Sequence, residues 1–403
     1  MSVVSTSSRA LPTWLLLLMA VATGVAVASN YYAQPLLHTI AERLDLSYSR
    51  AGIVVTVAQL GYALGLLALV PLGDMLERRR LVVTMMSLST LGLLVSATAN
   101  GLPMLLLGTA VTAVFSVVAQ VLVPFAATLA EPERRGRAVG TVMSGLMLGI
   151  LLARSFAGAL SEFGDWRLVY WVASGLMALT TLALWRALPA LHTPAGLSYA
   201  ALIRSVGTLM AVHARLRLRA LLGLLTFATF AAFWTPIAFL LAAPPYRLSD
   251  GVIGLFGLVG AAGALMAPIT GRQVDRGRAR LTTTLGLALL VLGWLPLLFA
   301  GQSLLALLLG ILILDLAVQL VHITNLNMVY RIDPGARNRL NAAYMVCYFL
   351  GGALGSLFSA MLYVHWGWLG VCALGIGFSA LGLAVWLACR ARVEADTPKG
   401  QHG

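Results

Sequence analysis

The chain has 403 residues, of which 60% are hydrophobic and only 10% are charged. A soluble domain has about 25% charged residues, so this chain cannot cover a water-facing surface, and we interpret it as an integral membrane protein. Its net charge of +13 would suit a nucleic-acid partner. The arginines cluster at the ends of apolar stretches, however, where they orient a protein in the bilayer, so we expect no nucleic-acid binding.

Twelve apolar stretches are long enough to cross a bilayer, which takes about 20 helical residues. Six lie in each half of the chain: 12–37, 48–70, 81–99, 102–129, 138–160, 166–188, 218–243, 251–274, 281–300, 303–329, 340–364 and 367–389. The first resembles a cleaved signal peptide at Ala26-Val27-Ala28. Its apolar run continues to Leu37, which favours a spanning helix.

Two charged loops recur about half a chain apart. Asp74 and Asp275 are separated by 201 positions, and Pro132 and Pro334 by 202. Two loops with nearly one spacing indicate a duplicated chain. We predict an all-α membrane protein with twelve transmembrane helices in two pseudo-symmetric six-helix bundles. The predicted parts are an N-terminal bundle at 1–189, a central cytoplasmic linker at 190–217, a C-terminal bundle at 218–390 and a cytoplasmic tail at 391–403.

The distribution of basic residues predicts the orientation. With the N-terminus inside, almost all Arg and Lys residues of the loops fall on the cytoplasmic side. The four exceptions are Arg43, Arg50, Arg167 and Arg247. Positive charge is retained on the inner side of membranes, so we predict that both termini are cytoplasmic. Within the linker we expect a short helix that lies at the membrane surface.

The two charged loops carry a recognisable pattern. In the first, Leu72, Asp74, Arg78 and Arg79 match the sequence Gly-x-Leu-Ala-Asp-Arg-x-Gly-Arg-Arg of the major facilitator superfamily. In the second loop the matching residues are Gly271, Asp275, Arg276 and Arg280. The chain therefore resembles that family over most of its length, and the stretches 30–37, 337–345 and 351–356 resemble its bacterial efflux-type permeases. Members that exchange drugs for protons often carry Arg in helix 4 and Gly-Pro in helix 5. Here 102–129 has no Arg, and Ile150 follows Gly149, which argues against antiport of that type.

The resemblance implies alternating access, in which two halves rock about a central cavity. It also implies that the charged loops latch the cytoplasmic ends of the halves through ion pairs and helix termini. The alternative is that the arginines only set the orientation of the protein in the membrane. A carboxylate does not contribute to that orientation, so the presence of Asp74 favours the latch. The predicted latch residues are Asp74, Arg78, Arg79, Asp275, Arg276 and Arg280.

Two charged residues, Arg154 and Asp315, lie in the middle of predicted helices. A charge at the bilayer centre costs at least about 2.5–3.5 kcal/mol and usually marks a functional pathway. The pair could be a structural tie. Alternatively, Arg154 could hold a substrate carboxylate or phosphate, while Asp315 takes up a proton that His322 relays.

Other polar residues in the apolar stretches extend this predicted cavity. Gln319 and His322 share one helix face with Asp315, because they follow it by four and seven residues. Polar side chains in lipid must face protein or a water-filled cavity. The remaining predicted cavity residues are Asn30, Gln34, Gln59, Gln120, Asn341 and Tyr344.

We therefore expect a monomeric transporter of the bacterial inner membrane that exports a small organic solute such as a drug, sugar or metabolite, with protons as a candidate second partner. One alternative is a proton-linked importer or uniporter of sugars or small organic acids. Another is a non-transporting sensor with the same fold, which would need a longer tail than 390–403. The sequence shows no nucleophile–base pair and no metal-ligand cluster, so we expect neither an enzyme nor a cofactor.

Overall fold

The computed structural model describes residues 11–191, 198–264 and 266–395; the side chains at 74, 261, 262, 264, 267, 334 and 391–395 lie outside the description. The described residues are almost all helical, and none of them is in a strand. An α-helix satisfies its own backbone hydrogen bonds, which is what an apolar chain in lipid requires.

Eight helices precede the linker. They are α1 (Thr13–Ala28), α2 (Ala33–Arg43), α3 (Tyr48–Ala68), α4 (Arg78–Ala97), α5 (Leu102–Phe115), α6 (Ala119–Leu129), α7 (Arg135–Ser161) and α8 (Arg167–Ala187). Short 3₁₀ turns at Val70–Asp74, Ser116–Val118 and Pro132–Arg134 connect some of them.

The linker and the second half hold nine more described helices. They are α9 (Tyr199–Val212), α10 (Ala214–Trp234), α11 (Ile237–Ala242), α12 (Asp250–Ala264), α13 (Met266–Asp275), α14 (Ala279–Leu292), α15 (Trp294–Leu297), α16 (Leu304–Tyr330) and α17 (Arg337–Ala395). Ser47, Ser198 and Ser303 cap α3, α9 and α16, because each hydroxyl accepts the backbone N–H three residues on, the usual role of serine at this position.

Within the described ranges, ten helical stretches are long and apolar enough to cross a membrane. The last of them, Arg337–Arg390, has 54 residues. A shorter apolar helix covers Asp250–Gly260. The protein is thus a multi-pass, all-helical membrane protein, as the composition predicts.

Several predicted helix boundaries differ from the observed ones. The predicted helix 12–37 is divided between α1 and α2, which extends to Arg43. The predicted helix 218–243 begins at Ala214 and is interrupted at Pro236. The last two predicted helices, 340–364 and 367–389, both lie within the stretch Arg337–Ala395 and are separated by a kink at Gly367, which has non-helical angles (φ 60°, ψ −153°).

The predicted domain limits can be placed on these helices. The N-terminal part ends with α8, and α9 lies inside the predicted linker. Helix α10 begins at Ala214, four residues before the predicted start of the second half. Helix α17 continues to Ala395, into the predicted tail. Positions 1–10, 192–197 and 396–403 lie outside the described residues.

The two parts of the chain on either side of the linker meet mainly along two helix pairs. Helix α3 packs on α17, and α7 packs on α12, while α2 makes smaller contacts with α11 and α12. The second contact needs glycines, because a Cβ at Gly158 would overlap the carbonyl of Asp250, and one at Gly254 would overlap the carbonyl of Arg154. Small residues let helices approach closely in membranes.

Candidate functional site

A cavity of about 860 Å³ lies between the two halves of the chain. Its volume falls within the range of about 300–1,000 Å³ that is typical of small-molecule sites. Aromatic side chains form part of its wall: Tyr31, Tyr62, Phe227, Phe230, Tyr330, Tyr348 and Phe349. The cavity reaches from Arg154 in mid-helix to Arg78 and Arg337 at the beginnings of α4 and α17. We call that end of the molecule the open end.

Most of the predicted cavity residues line this space. The lining ones are Asn30, Gln120, Arg154, Asp315, Gln319, His322 and Asn341. The other three lie behind the wall. Gln34 and Tyr344 bind lining residues, whereas Gln59 is buried beside Gly352. The structure thus brings together nearly all polar residues that the sequence analysis grouped, although their roles stay predictions.

Arg154 projects from α7 and is only 5% exposed. Its Nε donates a hydrogen bond of 2.7 Å to Oε1 of Gln34. Its guanidinium carbon lies 4.2 Å from the ring centre of Trp234, with Tyr31 and Phe230 at 5.2 and 5.7 Å. Contact with aromatic faces offsets part of the cost of burying the cation. Its Nη2 is buried and has no hydrogen-bond partner among the described residues.

Asp315 projects from α16 and is 6% exposed. Its Oδ1 accepts a hydrogen bond of 3.3 Å from Nε1 of Trp234. The indole of Trp234 therefore contacts both the guanidinium of Arg154 and the carboxylate of Asp315. The sequence left open a direct tie between the two charges, and the structure shows that Trp234 links them instead. An aromatic residue in an apolar stretch gave no signal of this role.

Two glycines of α12 make room for the charged side chains. A Cβ at Gly257 would lie 3.1–3.2 Å from the Cβ and Cδ of Arg154. A Cβ at Gly260 would overlap Oδ2 of Asp315. Because the two glycines are three residues apart, they lie on one helix face. This glycine face of α12 borders both charges.

His322 adjoins two tyrosines of α17. Its Nδ1 lies 3.1 Å from the hydroxyl of Tyr344, and its ring centre lies 4.5 Å from that of Tyr348. The tyrosine hydroxyl donates or accepts here according to the histidine tautomer. The imidazole is therefore held at the cavity wall in a fixed orientation.

A second buried arginine was missed by the sequence analysis, which placed Arg219 with the loop arginines. It lies inside α10 and is buried. Its Nη1 donates to Oγ1 of Thr283 at 2.8 Å and to Oδ1 of Asn325 at 3.1 Å, and its guanidinium lies 4.9 Å from the ring centre of Trp386. The arginine-rich run 213–219 hid it, because helix ends in such runs are ambiguous.

The predicted latch residues lie near the open end. Arg78 donates to the carbonyl of Gly73 and, at 2.7 Å, to Oγ1 of Thr128. Asp275 accepts from Nη2 of Arg331 at 3.1 Å. The contacts of Arg78 lie within the first half of the chain, and the contact of Asp275 lies within the second half. Arg79 is half-buried, and Arg276 and Arg280 are exposed, whereas the side chain of Asp74 lies outside the description. The latch stays a prediction.

The other end of the cavity is closed by contacts between the halves, and we call it the sealed end. Glu162, at the end of α7, accepts a hydrogen bond of 2.9 Å from the N–H of Gly251, at the beginning of α12. Bonds from the Ser249 hydroxyl and this N–H lower the pKa of the Glu162 carboxyl. The Thr39 hydroxyl donates to Oδ2 of Asp250 at 2.6 Å.

Aromatic packing reinforces the sealed end. Tyr48, at the beginning of α3, stacks on Phe239 with ring centres 4.3 Å apart. It also lies 6.0 Å from the ring of Tyr363. Deeper in the same interface, the hydroxyls of Thr56 and Ser356 are hydrogen-bonded at 2.9 Å. Each of these contacts joins the first half of the chain to the second, so all of them must break if this end opens.

Known proteins match this chain along its length. The family model of the Major Facilitator Superfamily matches residues 19–263 and again 220–403. The "Uncharacterized transporter YgaY" of Escherichia coli O157:H7 is 59% identical over 381 residues, covering 94% of this chain and 97% of that protein. The "Probable transporter SCO4007" of Streptomyces coelicolor is 34% identical, covering 93% and 86%. A "Probable sugar efflux transporter" of Helicobacter pylori strain 26695 is 25% identical, covering 86% and 87%.

Solved structures share the fold. An inward-facing, unoccupied bacterial homologue of the human lysosomal transporter Spinster superposes with a TM-score of 0.80, at 15% identity, over 98% of this chain and 100% of the other. A peptide transporter in complex with alafosfalin gives a TM-score of 0.73, at 16% identity, over 95% and 96%. Together with the family model and the sequence relatives, these matches show that the chain belongs to the major facilitator superfamily of membrane transporters.

Proposed function

We propose that this protein is a secondary active transporter that moves a small organic solute across the bacterial inner membrane by alternating access. The observation that carries the proposal is the cavity between the halves, open at one end and sealed at the other by contacts between the halves. A central site that reaches one side at a time is what alternating access requires.

The helix lengths support twelve crossings in this proposal. The stretch Arg337–Arg390 has 54 residues, which at 1.5 Å per residue spans about 80 Å of helix. The hydrocarbon core is about 30 Å thick, so this stretch can cross twice, with Gly367 at the turn. Helices α12 and α13 together supply one further crossing. The other nine apolar stretches supply one crossing each, which makes twelve.

An even number of crossings places both termini on one side, which the arginine distribution assigns to the cytoplasm. The open end then faces the cytoplasm, because it carries the arginine-rich beginnings of α4 and α17. In this arrangement the loops 71–80 and 271–280 would latch the halves when the open end closes. Export is favoured because a relative bears the name of a probable sugar efflux transporter.

Transport in everted membrane vesicles tests this function. Vesicles that contain the protein should accumulate a labelled sugar, drug or metabolite several-fold over empty vesicles when a proton gradient is applied. The variant Val318→Trp fills the cavity from α16 and should block the flux, because Val318 lines the cavity. The matched variant Leu305→Trp lies on the same helix at a site that is 76% exposed, so it should transport normally. Equal flux in both variants would contradict transport through this cavity.

A further inference from the structure

The cavity contains a buried cation with an unused donor. Nη2 of Arg154 has no acceptor among the described residues, although Arg154 lines the cavity and is nearly fully buried. A buried donor without a partner costs free energy, and more so on a charged group. Gln34 fixes the guanidinium through Nε, so the unused donor is also oriented. Such a donor is suited to an acceptor that arrives with the ligand.

The charges around the cavity favour an anion at this position. Among the lining residues that the structure describes, Asp315 is the one acidic side chain, whereas Arg78, Arg154, Arg337 and Arg339 are basic. The three other arginines lie toward the open end, where the ligand enters. A cleft lined by one sign of charge attracts ligands of the opposite sign. Asp315 is linked to Trp234, so it leaves the Nη2 donor of Arg154 free.

The remaining wall indicates the body of the ligand. Tyr31 and Phe230 flank the guanidinium of Arg154, and Phe227, Tyr348 and Phe349 continue the wall. Apolar, aromatic walls favour an apolar ligand body. A doubly charged phosphate would lose much hydration in this apolar surrounding. A single carboxylate, in contrast, matches one guanidinium.

We propose that the solute is an organic carboxylate: its carboxylate binds Arg154, and its apolar body lies against the aromatic wall. This inference rests on the transport function proposed above and narrows its substrate class. Arg154 of the first half would thus hold the ligand, while Trp234 of the second half contacts the same guanidinium and donates to Asp315.

Binding of matched acids and amides to the detergent-purified protein tests the inference. The probes are benzoate and benzamide, hexanoate and hexanamide, and indole-3-acetate and indole-3-acetamide, and apparent Kd values come from the concentration dependence of thermal stabilisation. For at least one pair, the acid should bind about tenfold more tightly than its amide, because a charge-assisted hydrogen bond contributes that much. Arg154→Gln should reduce this ratio to about one.

Arg272→Gln provides the matched control. Arg272 is exposed on α13 and is not one of the residues that line the cavity, so its loss should leave the acid-to-amide ratio within about twofold of wild type. Arg154→Lys keeps the charge but loses the planar fork, so its ratio should be intermediate. If Arg154→Gln fails to fold, an unchanged ratio in Arg154→Lys overturns the proposal.

Two other outcomes would also overturn it: amides that bind as tightly as acids in all three pairs, or an acid preference that survives Arg154→Gln. Transport measurements distinguish an error in the proposed substrate class from an error in the proposed transport function. Flux of a neutral solute, without any acid preference, would contradict the carboxylate but leave transport intact. Acid binding that depends on Arg154, without flux of any acid, would contradict transport and leave the binding site intact.

Discussion

At the scale of single residues, the cavity is organised by one indole between two charges. Trp234 stacks on the guanidinium of Arg154 and donates to the carboxylate of Asp315. Arg154 belongs to the first half of the chain, whereas Trp234 and Asp315 belong to the second. A movement between the halves must therefore change the contact between Arg154 and Trp234. A ligand that bound Arg154 would therefore be coupled to the relative position of the halves through this contact.

Asp315→Asn should remove the pH dependence of transport, if Asp315 is the proton site. The amide keeps the shape and can still accept from Trp234, but it cannot exchange a proton. We expect flux in the variant to change less than about twofold over the range in which a shifted carboxyl titrates, roughly pH 4 to 8. Flux in reconstituted vesicles at stepped pH measures this.

Asp333→Asn is the control for that experiment. Asp333 accepts from the N–H of Gly335 at 2.8 Å, in the connection between α16 and α17, and it does not line the cavity. Its variant should keep the wild-type pH profile. A wild-type profile in Asp315→Asn as well would exclude Asp315 as the proton site.

The sequence identified the charged residues of the cavity better than their partners. Arg154 and Asp315 were found because a charge in an apolar stretch is costly and therefore conspicuous. Trp234 was not found, because tryptophan is ordinary in such a stretch. Arg219 was missed for a different reason: it follows other arginines at the edge of the predicted helix 218–243, whereas α10 begins at Ala214 and buries it.

At the scale of elements, the sealed end depends on how α7 meets α12. The carboxylate of Glu162 lies at the N-terminus of α12 and binds the N–H of Gly251. The positive end of the helix dipole and the unsatisfied N–H groups favour an anion there. Because the carboxylate comes from the other half of the chain, this helix cap exists only while the end is sealed.

The sealed end should weaken when Glu162 is protonated or replaced by Gln. The pKa of Glu162 is lowered by Ser249 and Gly251. Its charge therefore stabilises the sealed state fully above the ordinary pKa, near 4.5, and this contribution is lost as pH falls through the lowered value. Because Glu162 is exposed, we expect Glu162→Gln to reduce the sealed-to-open ratio only about two- to fivefold at neutral pH.

Distances between spin labels at Arg43→Cys and Arg247→Cys measure this change, since both positions are exposed at the sealed end. The labels require a background without Cys347, Cys372 and Cys389. Asp165→Asn is the control, because this carboxylate lies close by but pairs with Arg167 of its own half. An equal shift in both variants would show that general charge, not the helix cap, holds the sealed end.

The sequence predicts which stretches form helices, but it predicts only some of the points at which those helices break. Apolar stretches of about 20 residues must form helices in lipid, and they do. The break between α10 and α11 could have been predicted from Pro236, which lacks an N–H donor. The break at residues 29–32 could likewise have been predicted from Pro35, which lacks the N–H that a continuous helix would donate to the carbonyl of Tyr31. The kink at Gly367 falls between the helices predicted at 340–364 and 367–389, and glycine tolerates its positive φ.

At the scale of the whole molecule, one pair of residues related by the predicted duplication lines the cavity. Gln120 and His322, which are 202 positions apart, both line it. The charged pair has no such symmetry, because the positions related to Arg154 and Asp315 by 202 residues are Ser356 and Ala113. The predicted duplication therefore does not extend to the charged residues of the cavity.

Alternating access predicts that an added methyl group on α12 will move the equilibrium of the whole molecule. A Cβ at Gly254 would overlap the carbonyl of Arg154 in the contact between α7 and α12. That contact is present only when the end near Glu162 is sealed, so Gly254→Ala should favour the state in which this end is open. The Arg43 and Arg247 labels should move apart, and transport should slow several-fold, because one state becomes too stable for rapid turnover.

Gly175→Ala is the matched control for Gly254→Ala. A Cβ at Gly175 in α8 would meet no atom within 4 Å, so the label distance and the flux should match wild type, with at most a small gain in helix stability. If Gly254→Ala also keeps the wild-type distance, the α7–α12 contact can absorb a methyl group, and rigid rocking about it would be wrong. If the labels move apart while flux is unchanged, separation of the sealed end does not limit transport, and the slow step must lie at the open end.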